Sequence, residues 1–296
     1  MKDDFVPGQT LMHQSWWKAA FERLRSNNVE IKPFAERIVE TMSLDFQDKH
    51  VYNAKRERVT FNNKSYSKNQ QLRDEYNSME SPFYGGVKKY PKEFEKITKT
   101  YFKVGILRWA KKHELEHIQI NPYNIVETKP NKFSMIIHPI LNARYSKPEF
   151  SLVNILDRGD QLVQADHFMV FDLSSCYHQF KLCYSSVLQM GIKIDGRVAV
   201  AQTAFYGPSP AVVLVNTMVN YAALDASLHF NVYSEGFIDD IIVCGLVTKF
   251  LEWLKKFGFI FSESKMQSGK CVEYLGLVID AESKTVKIMP KNQENN

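Results

Sequence analysis

Two adjacent carboxylates in the apolar run "GFIDDIIVCG", residues 236–245, constrain the fold more than any other feature of the chain. On a strand successive side chains point to opposite faces, so Asp239 and Asp240 cannot both reach water if Phe237, Ile238, Ile241 and Ile242 are buried. An unpaired buried carboxylate costs several kcal/mol or takes up a proton, and persists only beside a metal ion or a cation. A second acid is in the same position. Asp172 ends the apolar segment "HFMVFD", and the following "LSSCYHQF" has the spacing of a strand-to-helix turn. If the two segments are neighbours in one sheet, three carboxylates converge. Such a set of hard oxygen donors suits Mg²⁺, which keeps several waters and accepts one or two carboxylates plus substrate phosphates.

The rest of the composition is permissive. With 296 residues, 44% hydrophobic and 24% charged, the chain can bury a sizeable core in one elaborate domain or two smaller ones. A formal charge of +5 permits a polyanionic partner without demanding one. The basic residues cluster: from Lys88 and Lys89 through Lys92, Lys96, Lys99 and Lys103 to Lys129 and Lys132, they outnumber five acids between 86 and 132. The four cysteines form no CxxC pair and read as reduced thiols of an intracellular protein. The acidic N-terminus has no apolar core of a secretory signal, and no uncharged apolar run reaches the roughly 18 residues of a membrane span. The expected location is cytoplasmic or nuclear, with no membrane partner.

Residues 1–86 form an N-terminal segment of unassigned role. Two helical patterns, "SWWKAAFERLRSNN" and "FAERIVETM", are followed by a polar stretch at 53–82 with few apolar anchors. In "YPKEFEKITKTYFKVGILRWAKKHE" the spacing places Phe94, Ile97, Tyr101, Phe102, Ile106 and Trp109 on one side of a helix. Beyond Pro122 short β-branched and aromatic runs alternate with helical stretches. "SPAVVLVNTMVNYAALDASLHF" opens with a helix-start signal, and "TKFLEWLKKFG" closes with Gly258. Strands mixed irregularly with helices and tight hairpins predict an α+β domain over 87–289 with a largely antiparallel sheet, and a polar tail at 290–296.

"DLSSCYHQF" at 172–180 with "FIDD" at 237–240 resembles motifs A and C of reverse transcriptases of the retrotransposon and retrovirus-like type. The remaining pieces follow in that family's order: "YFKVGILRW", "NPYNIVETKPNKF" and "HPILN" resemble its fingers segment, and "TAFYGPSPAVVLVNTM" its motif B. "FGFIFSESK" resembles motif D and "YLGLVID" motif E, so that the match spans roughly 95–289. One "DD" is a weak signal, whereas the ordered set is strong. The resemblance implies right-hand polymerase fingers and palm, the palm core lying at about 166–182 and 206–280. It implies addition of deoxynucleotides to a primer 3′-hydroxyl on an RNA or DNA template. Asp172, Asp239 and Asp240, with the Leu173 carbonyl, would hold two Mg²⁺ ions, Mn²⁺ being able to substitute. Tyr177 would exclude a 2′-hydroxyl as a gate, Lys265 would stand near the leaving pyrophosphate, and Lys129, Lys132 and Gly207 would contact nucleotide or template.

The chain departs from the family pattern in places. Ser134 stands where the fingers segment usually carries an arginine, and Phe205 or Tyr206 lies nearer than Gly207 to the usual motif B glycine. The chain ends soon after motif E, which leaves the thumb apparently absent and a separate chain as the source of thumb and RNase H. These features favour an alternative, a catalytically impaired relative acting as a nucleic-acid-binding or polymerase-partner module. A third reading, a zinc peptidase, follows from "HELEH" at 113–117, which matches HExxH with His113, His117 and Glu114. That pattern is short and arises by chance, and a solvated helix end explains it as well.

Overall fold

The computed structural model describes residues 12–46, 48, 83–139, 142 and 158–289. The polar stretch at 53–82, Ile140 and Leu141 of "HPILN", and the tail at 290–296 lie outside the described residues. The described residues divide into two compact units, one holding those within 32–142 and 177–215, the other those within 12–31, 158–176 and 216–289. All strand pairings within the sheets of the described residues are antiparallel.

In the first unit the helix Pro91–Lys103 starts with proline in its first turn, where the missing N–H costs no hydrogen bond. It ends sooner than the apolar spacing predicts. Gly105 takes φ +77° just past the last turn, and the chain continues as strand β1, Leu107–Trp109. Ile106 and Trp109 therefore do not extend the helical face. β1 pairs with β6 (Arg197–Ala201), which pairs with β5 (Gly191–Ile194). A separate hairpin joins β2 (Tyr123–Lys129) to β3 (Lys132–Ile137), with an irregularity between Glu127 and Lys129 and Asn131 at φ +60° in the turn. The helix packs on this hairpin through Phe94 stacked on Tyr123 at 5.6 Å, and Tyr90, just ahead of it, meets Phe133 at 4.8 Å.

"HELEH" serves this unit as a structural tie. Only Lys112–Glu114 is helical, as a single 3-10 turn, so His113 and His117 do not stand one turn apart on an α-helix. The fully buried Glu114 accepts two hydrogen bonds from the Arg108 guanidinium, each 2.7 Å, and one of 2.7 Å from the Lys111 backbone N–H. Hydrogen bonding from Arg108, outweighing burial, holds the Glu114 carboxyl down at about 2.

The second unit is built on a four-stranded sheet in the order β7 (Tyr233–Phe237), β8 (Asp240–Cys244), β4 (Phe168–Asp172), β9 (Gln267–Gly269). A three-stranded sheet follows, β10 (Cys271–Tyr274), β11 (Leu277–Asp280) and β12 (Thr285–Ile288). Phe168, Val170 and Ile242 of the first sheet share one core cluster with Val272, Tyr274 and Ile279 of the second. The helix Gln14–Ser26 belongs to this unit although it lies far away in sequence. Its Trp17 is fully buried and donates from Nε1 to the Phe257 carbonyl at 3.0 Å, and Arg23 grips the buried Asp225 with two bonds of 2.8 Å. The helix Ser209–Phe230 begins in the first unit and passes into the second. By length and composition it could cross a bilayer, but most of its apolar stretch is buried inside the protein, as an all-round apolar core helix requires.

Candidate active site

The sheet of the second unit brings the sequence-predicted acids to one end. Asp172, the last residue of β4, is the direct cross-strand partner of Asp240, the first residue of β8. Asp239 sits beside them in the turn from β7, and its carbonyl accepts a 2.7 Å bond from the Leu173 N–H. The segment leading to Lys265 closes the other side: the Ser262 N–H donates to the Asp172 carbonyl at 2.8 Å, and the Ser174 N–H to Ile260 at 2.9 Å.

The turn is held under tension. Ile238 takes φ +58°, a left-handed conformation that a β-branched residue adopts at a cost of roughly 1–2 kcal/mol. Asn216 supplies the compensation from the helix behind, where its Oδ1 accepts the Ile238 N–H at 2.7 Å. One turn further on, Asn220 Oδ1 accepts the Gly236 N–H at 3.2 Å. Sequence reasoning missed both asparagines, although their i,i+4 spacing inside an apolar helix was a visible signal, since a buried amide needs partners.

Asp239 and Asp240 are only partly buried, as are Phe237 and Ile238, so the adjacent acids keep access to water, contrary to the expectation of a buried apolar run. Lys265 Nζ lies 2.6 Å from both carboxylate oxygens of Asp172, whose side chain is only 14% exposed. Cys176 is fully buried, and its thiol donates to the Ile238 carbonyl at 3.6 Å. Burial first, then the charges of Asp239, Asp172 and Asp240, push that thiol well above its ordinary range. All three carboxylates are thus close enough to act on one buried atom. Among the described residues, however, no three His, Cys, Asp or Glu side chains meet as a ready metal cluster.

The other predicted residues lie in the first unit. Tyr177 is only 4% exposed, its ring 4.7 Å from that of Tyr206, so its outer face is largely covered. Lys129 and Lys132 face each other at the turn end of the β2–β3 hairpin, both exposed. Gly207 takes φ +122°, and a Cβ there would lie 1.8 Å from the Ile137 carbonyl, so glycine is required for the loop to approach β3. Phe205 is fully buried against Tyr101 and His178. Asn142, also unforeseen, clasps the loop, donating to the Gly207 carbonyl at 2.7 Å and accepting the Ser209 N–H at 2.9 Å.

No family model and no curated protein matches the sequence. Solved structures do resemble the fold. A foamy viral protease-reverse transcriptase in complex with dsDNA matches with a TM-score of 0.59 at 15% identity, over 79% of this chain and 54% of that one. A second structure of the foamy viral enzyme, described as dRH and in complex with dsDNA, matches at 0.55 and 16% identity, over 77% and 45%. A third, with an RNA/DNA hybrid, matches at 0.51 and 17% identity, over 76% and 34%. The chain spans about half or less of the proteins it resembles. The likeness shows a reverse-transcriptase-like fold, a mixture of helices and antiparallel sheets.

Proposed function

We propose that the chain is a retroelement-type polymerase domain, with the second unit as palm and the β2–β3 hairpin in the fingers, that adds deoxynucleotides to a primer 3′-hydroxyl opposite an RNA or DNA template. The observation that carries this reading is the register of Asp172 against Asp240 across β4 and β8, with Asp239 in the adjoining turn. The donor chemistry suits magnesium, since the carboxylates at this end of the sheet are hard oxygen ligands, and Lys265 already sits on Asp172 as a cation. Asp172, Asp239, Asp240 and the Leu173 carbonyl would hold the ions. Bound magnesium would favour the ionised 3′-hydroxyl and offset the charge of the triphosphate.

The chain's own residues perform the remainder. Asn216 and Asn220 fix the turn that presents Asp239. Lys265 exchanges its carboxylate partner for the departing pyrophosphate. Tyr177, packed against Tyr206, is the residue that would exclude a 2′-hydroxyl. Lys129 and Lys132 offer the hairpin's positive charge to phosphates.

Primer extension on poly(rA) with oligo(dT), dTTP and Mg²⁺ tests the reading. Asp239→Asn should abolish incorporation while leaving the fold and duplex binding intact. Manganese titrated in the absence of nucleotide should bind the parent chain and fail to bind the variant. A second reading, a nucleic-acid-binding relative without catalysis, is favoured by Ser134 in place of arginine and by the internal cation on Asp172. Duplex binding without incorporation at any enzyme concentration would select it.

A further inference from the structure

We infer that the helix Gln14–Ser26 is a brace for the carboxylate site, in which His13 and Trp17 act as positioning residues for the backbone that carries Lys265 to Asp172. Its bearing on rate rests on the polymerase reading; its geometry does not. Between the helix Phe250–Lys255 and the 3-10 turn Glu263–Lys265 the chain forms no helix and joins none of the sheets as a strand, so its course is set by what ties it at either end. At the near end stands Lys256, the C-cap, whose carbonyl has no partner within its own helix. His13 Nδ1 donates to it at 2.9 Å. The next carbonyl, of Phe257, accepts from Trp17 Nε1 at 3.0 Å and from the His13 N–H at 3.3 Å. Gly258 then turns at φ +93°. At the far end Phe261 bridges to Leu173, and the Ser262 N–H reaches the Asp172 carbonyl at 2.8 Å.

A row of rings follows the same course. Trp17 lies 4.5 Å from Phe257 and 6.0 Å from Phe259, Phe259 lies 6.4 Å from Phe261, and Phe261 lies 6.1 Å from Phe171, the residue before Asp172. The N-terminal segment also grips the other support of the site. Arg23 binds Asp225, and the Tyr221 hydroxyl donates to the Glu30 carbonyl at 3.0 Å. Both partners lie on the helix whose Asn216 and Asn220 hold the turn at Asp239. A helix that only covered an apolar face would need side-chain contact alone. Donors aimed at backbone carbonyls fix direction as well, because a hydrogen bond weakens steeply with angle.

Acetylation of the full chain with a limiting dose of an N-hydroxysuccinimide ester, read residue by residue by mass spectrometry, tests the brace without requiring activity. Lys265 is held on Asp172 by charge-assisted bonds and should label slowly in the parent. His13 is exposed, so His13→Ala removes its side-chain bond with little risk to folding. It should speed labelling of Lys265 by about 2- to 12-fold, the equivalent of one net hydrogen bond, and leave Lys270 and Lys284 of the same unit unchanged. Trp17→Phe, which keeps a ring in the row and loses the donor, should act in the same direction. His13→Asn, which keeps a donor near the Nδ1 position, should restore the parent rate of labelling. In primer extension His13→Ala should lower the maximal rate with the primer–template KM unchanged, and should have no further effect in a Lys265→Ala background. Unchanged labelling of Lys265 would overturn the inference, as would an equal rise at Lys270 and Lys284, which is what loosened packing alone predicts. A rate loss that persists in the Lys265→Ala background would overturn it too. A parent chain that extends no primer would count against the polymerase reading, and labelling alone would then decide the brace.

Discussion

Asn216 should control the active-site turn out of proportion to its size. Its Oδ1 is the acceptor for the Ile238 N–H at 2.7 Å, at a residue whose φ of +58° is unfavourable for isoleucine. Asn216→Ala removes the acceptor. A buried donor left unsatisfied costs about 1–3 kcal/mol, and because this bond is only partly buried water recovers some of it, so about 1–2 kcal/mol should be lost in urea unfolding. Relaxation of the left-handed residue, worth roughly another 1–2 kcal/mol, then favours a rearranged turn. That moves Asp239, and a displacement near 1 Å at a reacting centre is worth about 10²-fold in rate. Incorporation should therefore fall far more than stability. Ile238→Gly adopts the same φ without strain, so a double-mutant cycle should show coupling, with the double variant regaining rate relative to Asn216→Ala alone. Stability within about 0.3 kcal/mol of the parent, or no coupling to Ile238→Gly, would refute the view that this asparagine sets the turn.

Acid should weaken the protein in two stages. His178 is buried, donates from Nδ1 to the Ala204 carbonyl and accepts at Nε2 from the Tyr101 hydroxyl, and burial lowers it to about 4. The unfolded chain takes up that proton near 6.5, so stability should fall as pH drops from about 6.5 to about 4, by roughly 3 kcal/mol in all. Glu114, held at about 2 by Arg108, contributes stability that is complete above its ordinary 4.5 and lost as pH falls from there to about 2. Urea titrations across pH should lose only the lower limb in Glu114→Gln; loss of both limbs would show that the assignments are wrong. Replacing Tyr177 by Val should raise ribonucleotide incorporation, and unchanged sugar selectivity would remove Tyr177 from the gate role. Iodoacetamide should label exposed Cys271 readily and spare Cys176, which is buried beside three carboxylates; mass spectrometry finding Cys176 labelled first in the folded chain would contradict that environment.

The acids were legible in the sequence because charge inside an apolar run has few physical excuses, and the sheet does bring Asp172 opposite Asp240. Antiparallel pairing was legible for a similar reason, since short β-branched runs separated by turns can close locally. What supports the acids was not legible. Asn216 reads as an ordinary helix residue until the turn beside it is known to be strained, because its value lies in a backbone N–H 22 residues away. Gly105 ended a helix that apolar spacing alone would have continued, a case of one residue's φ outweighing periodicity. "HELEH" shows the converse, a pattern that looks chemical and is consumed by packing. Its glutamate is buried, and a buried carboxylate is stable only with its charge matched, which Arg108 does with two bonds six residues earlier in sequence. The same rule governs Asp172 and Glu114, yet the outcomes differ by exposure. Arg108 and Glu114 are locked together, with the acid fully buried, whereas Lys265 remains 45% exposed and can leave Asp172 when a stronger cation or a phosphate competes. A carboxylate whose partner can depart is the kind on which metal-dependent chemistry can be built.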